Sequence, residues 1–303
     1  VYTVAAYGQE EWTASDHWVL TVGARGTLHK ETGFNMSPKV SALYKVNDFN
    51  LRASYALGYK SPTVKELYYN YVATLGGGAL TAYHGNTDLK AQTSQYASIG
   101  VEYTGKTFQA SLTGYTNQLR NMIELIDIKV TPEEKLNEIE RSKAYRNLTK
   151  ARIWGVDFTF RYQPTKAFNV SGGYSFADPK AQYPNQGANY MQYIPIDATS
   201  QHNASLNASW QHAWKRYKLG LTVNGRYQSE RRYVVNNNPE GFQTWRINTA
   251  HTLLGMKRWT MTLNVGVDNL FDYVDRTPFG RNRATTTPGR NFYASVVLKY
   301  KSK

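Results

Sequence analysis

Apolar and polar residues alternate along this chain with a period of two, repeatedly, in runs of about nine to eleven residues. One phase reads Tyr217, Leu219, Leu221, Val223, Gly225, Tyr227, and the other reads Lys218, Gly220, Thr222, Asn224, Arg226. Trp259, Met261, Leu263, Val265 and Val267 oppose Thr260, Thr262, Asn264, Gly266 and Asp268 in the same way. So do His202–Trp210, Trp154–Tyr162, Trp18–Ala24, Leu51–Tyr59, Phe168–Phe176 and Phe292–Tyr300. Successive side chains of a strand point to opposite faces, so each run is a strand with one apolar face. A tilted strand needs about nine to eleven residues to cross a bilayer. Strands of soluble sandwiches alternate too, but average only about five or six residues. The polar phases here are rich in Gly, Ser, Thr and Asn with scattered Arg, as suits an enclosed aqueous lumen. Aromatic residues gather at run ends (Trp12, Tyr44, Tyr103, Tyr162, Trp210, Trp214, Trp259, Tyr300), where an interfacial girdle lies. The fold class is all-β, a transmembrane antiparallel β-barrel.

Composition agrees. Aromatics make 14 % of the 303 residues, and charged residues fall to 19 %, below the roughly 25 % of ordinary globular chains. No stretch approaches the ~18–20 apolar residues of a membrane helix, and mean hydropathy is −0.57. Cysteine is absent, which excludes a disulfide framework, a thiolate zinc site and a cysteine nucleophile. The 36 Lys+Arg exceed the 22 Asp+Glu, a net charge of +14. These cations are dispersed over strands and loops and carry no nucleic-acid motif, so anionic glycolipid or an anionic ligand explains them better than nucleic acid.

Short connections (Thr13–Asp16, Val46–Phe49, Thr104–Lys106, Gln163–Ala167, Ala213–Arg216, Gly255–Lys257) alternate with long ones. The long set is Thr27–Met36, Ser61–Thr93, Ile126–Arg146, Asp178–Thr199, Ser229–Gly241 and Tyr273–Thr287. This is the outer-membrane arrangement of tight periplasmic turns and longer external loops. About thirteen strands result. An antiparallel barrel cannot close on an odd number, because the seam would be parallel. The expectation is part of a barrel. No leader precedes Val1, so the chain is expected to be mature or truncated.

Several strings carry a resemblance. Gly266-Val267-Asp268-Asn269-Leu270-Phe271-Asp272-Tyr273, then Thr287-Pro288-Gly289-Arg290-Asn291-Phe292 and a final alternating strand, resemble the last hairpin of TonB-dependent outer-membrane receptors. Leu51 to Tyr68 resembles that family's "FRAP" segment, with Ser61 where Ala is usual. Gly85-Asn86-Thr87-Asp88-Leu89-Lys90 resembles its "NPNL" box, with Thr87 where Pro is usual. Tyr145-Arg146-Asn147-Leu148 to Gly155-Val156-Asp157 and the hairpin Gln9–Trp12 to Gly23–Gly26 fit the family as well. The resemblance spans nearly the whole chain in order. It implies a plugged barrel of about 22 strands, of which residues 1–303 form the C-terminal portion, the plug and the other strands lying elsewhere in the same or a second chain.

It also implies function: active import of a scarce large solute (haem, an iron–siderophore or cobalamin), not enzymatic and with no intrinsic cofactor. The partners implied are the N-terminal plug, the TonB–ExbB–ExbD complex, a surface lipoprotein and lipopolysaccharide in a Gram-negative outer membrane. The alternatives are a passive porin or an outer-membrane barrel enzyme. The enzyme would need paired carboxylates or a Ser/His set at the external rim. In haem receptors of this kind an imidazole between the "FRAP" and "NPNL" boxes ligates the iron. His84 occupies that interval and is the candidate metal ligand, a solvated loop histidine being the plainer alternative. Tyr68, Tyr69, Tyr71 and Tyr83 are candidates to stack on a ligand. Arg276, Arg281 and Arg283 are the best anionic-ligand cluster. Arg25, Arg52, Glu102, Asp157, Arg161, Arg226, Arg246 and Asp268 fall on polar phases, as plug-facing or merely solvated lumen groups. Thr131, Pro132 and the acidic residues after them signal one short external helix.

Overall fold

The computed structural model describes residues 2–74, 78–182, 192–196, 199–232, 240–254, 258–274 and 288–300, with backbone alone at 148 and 149. The chain begins with β1 (Thr3–Thr13), β2 (Trp18–His29), β3 (Gly33–Val46) and β4 (Phe49–Lys60). Helix α1 (Val64–Tyr68) and the hairpin β5 (Tyr71–Thr74) and β6 (Leu80–His84) follow. Next come β7 (Gln92–Thr104), β8 (Phe108–Ile128), helix α2 (Pro132–Leu136), β9 (Ile139–Thr165) and β10 (Phe168–Ala181). The pieces β11 (Ile194–Pro195), β12 (Thr199–Ser200) and β15 (Arg231–Arg232) are short. Between and after them run β13 (His202–Ala213), β14 (Tyr217–Gln228), β16 (Phe242–Leu253), β17 (Trp259–Asp268) and β18 (Asn291–Tyr300).

Thirteen long strands form one sheet in the order β1-β2-β3-β4-β7-β8-β9-β10-β13-β14-β16-β17-β18. Each is antiparallel to its neighbours. Among the described residues, β1 and β18 have no partner on their free sides, and thirteen antiparallel strands leave these two edges running the same way. No described helix is long and apolar enough to cross a membrane.

Register carries the two faces around the sheet. Arg52, Gly100, Thr113, Asp157, Ser175 and Asn203 lie side by side in one row on one face. Trp18, Tyr44, Leu51, Val101, Leu112 and Phe158 form a row on the other. Of the second row Trp18, Leu51, Val101, Leu112 and Phe158 are exposed. A contiguous apolar surface of that extent belongs against lipid. Aromatic pairs bracket the tight turns: Trp18–Tyr44 at 4.8 Å, Phe49–Tyr103 at 5.1 Å and Trp259–Tyr300 at 5.0 Å. They form the periplasmic girdle.

The loop expectations change in three places. Thr27–Met36 is not a loop: β2 and β3 pair up to His29↔Gly33, leaving Lys30–Thr32 as a turn closed by Gly33 at φ +70°. His29, expected in that loop, ends β2 and is buried. Ile126–Arg146 is mostly strand, because β8 and β9 stay paired through Ile128↔Ser142. With 21 and 27 residues at about 3.3 Å each, these two strands outreach a hydrocarbon core of roughly 30 Å and project outside. Ser61–Thr93 contains α1, β5 and β6, and β6 joins the projecting part of β9 in parallel. Gly255–Lys257 and much of the last three long loops lie outside the described residues. The buried apolar residues, among them Leu67, Leu89, Met122, Ile123 and Ala151, collect at this external end. Elsewhere the sheet divides lipid from lumen and needs no core of its own.

Candidate functional site

The external module is built on capping and close approach. Thr63 caps α1: its hydroxyl accepts from Glu66 N at 3.2 Å, and Thr63 N donates to Glu66 Oε2 at 2.7 Å. Lys60 Nζ lies 2.9 Å from Glu66 Oε1. Burial by itself raises the Glu66 carboxyl, but the Thr63 N–H and Lys60 more than offset it and leave it below its usual value. Leu67 then packs with Leu89, Ile123 and Tyr145. Gly85 passes so near that a Cβ there would stand 2.7 Å from Leu67 O. Asn86 N donates to Glu66 O at 2.8 Å, and Asn86 Nδ2 to Tyr145 O at 3.1 Å. Asn147 Nδ2 donates to Asn121 O at 2.7 Å, and Asn121 holds a left-handed φ of 54°. The three resemblance segments are thus joined to one another outside the membrane.

His84 ends β6. Its Nε2 is 2.7 Å from Glu134 Oε1 and 3.1 Å from Ser142 Oγ, and Ser142 Oγ donates to Glu134 Oε1 at 3.0 Å. Glu134 lies on α2, where Thr131 forms the expected cap, with Pro132 at the start. The Thr131 backbone N–H first, then His84 and Ser142, hold the Glu134 carboxyl down to about 2 against the raising effect of burial. The arrangement clasps α2 to β6 and β9. It leaves Nδ1 as the His84 nitrogen for any iron. Among the described residues no group of three or more His, Asp or Glu side chains is placed to hold a metal ion.

The four tyrosines come together in part. Tyr71 and Tyr83 stack at 4.6 Å and 4°, Tyr69 leans on Tyr71 at 5.0 Å, and Lys65 Nζ stands 6.0 Å from the Tyr71 ring centre. Tyr68 turns toward the β2–β3 turn; desolvation and then the hydrogen-bonded Glu31 carboxylate raise its hydroxyl above its usual value. Arg276, Arg281 and Arg283 lie outside the described residues.

All eight charged residues assigned to polar phases share one face by register. Arg52 meets Glu102 at 3.2 Å, and Ser175 Oγ donates to Asp157 Oδ1 at 2.5 Å. Arg161 holds Asn169 at 3.3 Å and Gln163 at 3.0 Å, and Arg25 holds Thr27 at 3.3 Å. Arg246 reaches both oxygens of Asp268, through Nε and, at 3.0 Å, through Nη2. Arg226, Arg246 and Asp268 line one polar groove with Ser205 and Asn224.

Residues 1–270 match the family described as TonB dependent receptor-like, beta-barrel. The chain belongs to that family. TonB-dependent receptors are transport receptors of the Gram-negative outer membrane and not enzymes, so the alternating strands lie in that membrane. Among relatives, the ferric enterobactin receptor of Pseudomonas aeruginosa is 33 % identical over 318 residues, covering 93 % of this chain and 40 % of its own. The ferrienterobactin receptor of Escherichia coli K12 is 25 % identical over 285 residues, covering 88 % and 36 %. A solved ferric enterobactin receptor from Pseudomonas aeruginosa superposes with a TM-score of 0.72 at 21 % identity, over 98 % of this chain and 44 % of that one. The first of the curated relatives is matched over 31 % of its length, so the chain spans well under half of such a receptor.

Sequence reasoning missed Glu134, Ser142 and Asn70, whose Oδ1 accepts from Gly85 N at 3.1 Å. The capping pattern at Thr131 marked the helix, but nothing local marked that its third residue would bind a histidine 50 positions away.

Proposed function

We propose that this chain is the C-terminal part of the barrel of an energised receptor that imports an anionic, aromatic iron chelate of the catecholate siderophore class. The observation that carries the ligand is the Tyr69–Tyr71–Tyr83 row on the external module, with Tyr69 and the neighbouring Lys65 exposed and Tyr71 and Tyr83 half-buried. Aromatic faces and a cation together suit planar, electron-rich, negatively charged rings. The net charge of +14 favours the same ligand. The curated relatives named for enterobactin support this class. Haem is the second reading: Glu134 and Ser142 hold His84 Nε2 and so orient the ring within the clasp, with Nδ1 left for iron. His84 is accordingly assigned to the clasp.

The same reading makes residues 1–303 the C-terminal portion of a plugged barrel. The parallel, unpartnered edges β1 and β18 support it, since an odd number of further antiparallel strands is needed to close the sheet. The polar face with Arg52, Arg161, Arg226 and Arg246 is then the plug-facing wall, where the planar guanidinium fork suits plug carbonyls and carboxylates. Energy coupling through TonB–ExbB–ExbD and delivery by a surface lipoprotein complete the proposal.

The test is ligand binding by the full-length receptor, followed through intrinsic tryptophan fluorescence and the Soret band. A ferric triscatecholate should quench fluorescence, and Tyr71→Ala with Tyr83→Ala should weaken it tenfold or more. Tight haemin binding with a Soret shift abolished by His84→Ala, and no triscatecholate response, would overturn the ligand assignment.

A further inference from the structure

On the lipid-facing side of β8, β9 and β10 an upper aromatic belt is followed directly by cations. Trp154 and Phe176 meet edge-on at 5.0 Å, and Phe176 packs on His202 at 5.1 Å, whose Nδ1 is 2.7 Å from the Tyr174 hydroxyl. Tyr174 and Trp154 are exposed. Indole, phenol and imidazole side chains of this kind sit at headgroup level. Two residues further out along each strand, about 6–7 Å, register places Gln118, Arg152 and Lys180 in one row of the same face. Arg120 and Lys150 form the next row. Arg120, Lys150 and Arg152 are exposed.

Among the described residues, the acid in reach is already engaged. Asp178 accepts from Trp154 Nε1 at 3.2 Å and from Gln201 Nε2 at 2.8 Å, and lies 2.8 Å from Lys180 Nζ. The Arg152 guanidinium lies 4.3 Å from the centre of the Tyr193 ring. That packing restricts its rotamers while leaving the guanidinium edge for hydrogen bonds. Among the described residues, four cations thus face one carboxylate, which Lys180 already pairs, immediately above the level where acyl chains end.

We propose that Arg120, Lys150, Arg152 and Lys180 bind the phosphate groups of an outer-leaflet glycolipid, the acyl chains lying along Trp154 and the apolar face below. The inference rests on the outer-membrane placement and is independent of the imported ligand. Fixed arginine forks recognise phosphate oxygens bidentately, and the adjoining apolar wall selects a phosphate that carries acyl chains over one that is free.

Native mass spectrometry of the full-length receptor in detergent tests it, with bisphosphorylated lipid A, its dephosphorylated form and inorganic phosphate as probes. The bisphosphorylated lipid should remain bound, the dephosphorylated form should bind at least tenfold more weakly, and inorganic phosphate should compete only at far higher concentration. Arg120→Gln, Lys150→Gln and Arg152→Gln combined should lower lipid retention at least tenfold, whereas Lys39→Gln on the opposite face should not change it. Equal binding of the two lipid forms by the unaltered receptor overturns the proposal without any variant, and so does full retention by the triple variant.

Discussion

Lys90 and Asn147 are joined by two reciprocal hydrogen bonds, Lys90 N donating to Asn147 Oδ1 at 2.9 Å and Asn147 Nδ2 donating to Lys90 O at 3.0 Å. A side-chain amide here stands in for a strand neighbour, and it continues the ladder where the loop after β6 returns to the wall. The same Nδ2 reaches Asn121 O, so one residue ties the loop, β8 and β9.

Removing that amide should loosen the module without unfolding the barrel. Asn147→Ala is expected to cost about 1–3 kcal/mol locally, because an N–H and two carbonyls lose a partner. Hydrogen exchange at the amides of residues 85–92 should accelerate correspondingly, while amides of β13 and β14 should not. Asn147→Asp, which keeps the acceptor for Lys90 N, should fall between.

The clasp at Glu134 should depend on pH in a defined direction. Its carboxyl is held at about 2 from an ordinary 4.5, so the folded state favours the charged form. The stabilisation is therefore full above about 4.5 and is lost as pH falls toward 2. Exchange of the amides in α2 should rise on acidification through this window. In Glu134→Gln the rise should be absent, and exchange should be fast at every pH.

Gly85 is expected to resist substitution for steric reasons alone. An added Cβ would lie 2.7 Å from Leu67 O and 2.8 Å from Tyr68 N, both backbone atoms. Gly85→Ala should destabilise the module by about 1–3 kcal/mol, read as earlier proteolysis between β4 and β7. Gly8→Ala, where a Cβ meets nothing within 4 Å, should leave proteolysis unchanged.

Arg246 and Asp268 face each other across β16 and β17 with both oxygens engaged. Their side chains are 56 % and 32 % exposed, so water screens the pair. A double-mutant cycle with Arg246→Gln and Asp268→Asn should give a coupling of about 0.2–1 kcal/mol where the lumen is open. A larger coupling in the full-length receptor is expected if the plug excludes water from this wall.

Period-two alternation alone determined the strands, their two faces and the odd strand count, because strand geometry sends residues i and i+2 to the same side whatever their neighbours are. The eight lumen-phase charges and the girdle aromatics were legible for that reason, and Thr131 was legible as a helix cap because its partner is three residues away. The external module was not. In the sequence Ser61–Thr93 shows only as a long connection, because its elements are four or five residues long, too short to show a period. His84 finds Glu134 and Ser142, 50 and 58 positions on, and Asn147 finds Lys90, 57 positions back. The His84 contacts follow from β6 docking in parallel on the projecting part of β9. Which strands become neighbours is a property of the whole sheet, so a local pattern assigns each side chain a face, and tertiary structure alone assigns it a partner.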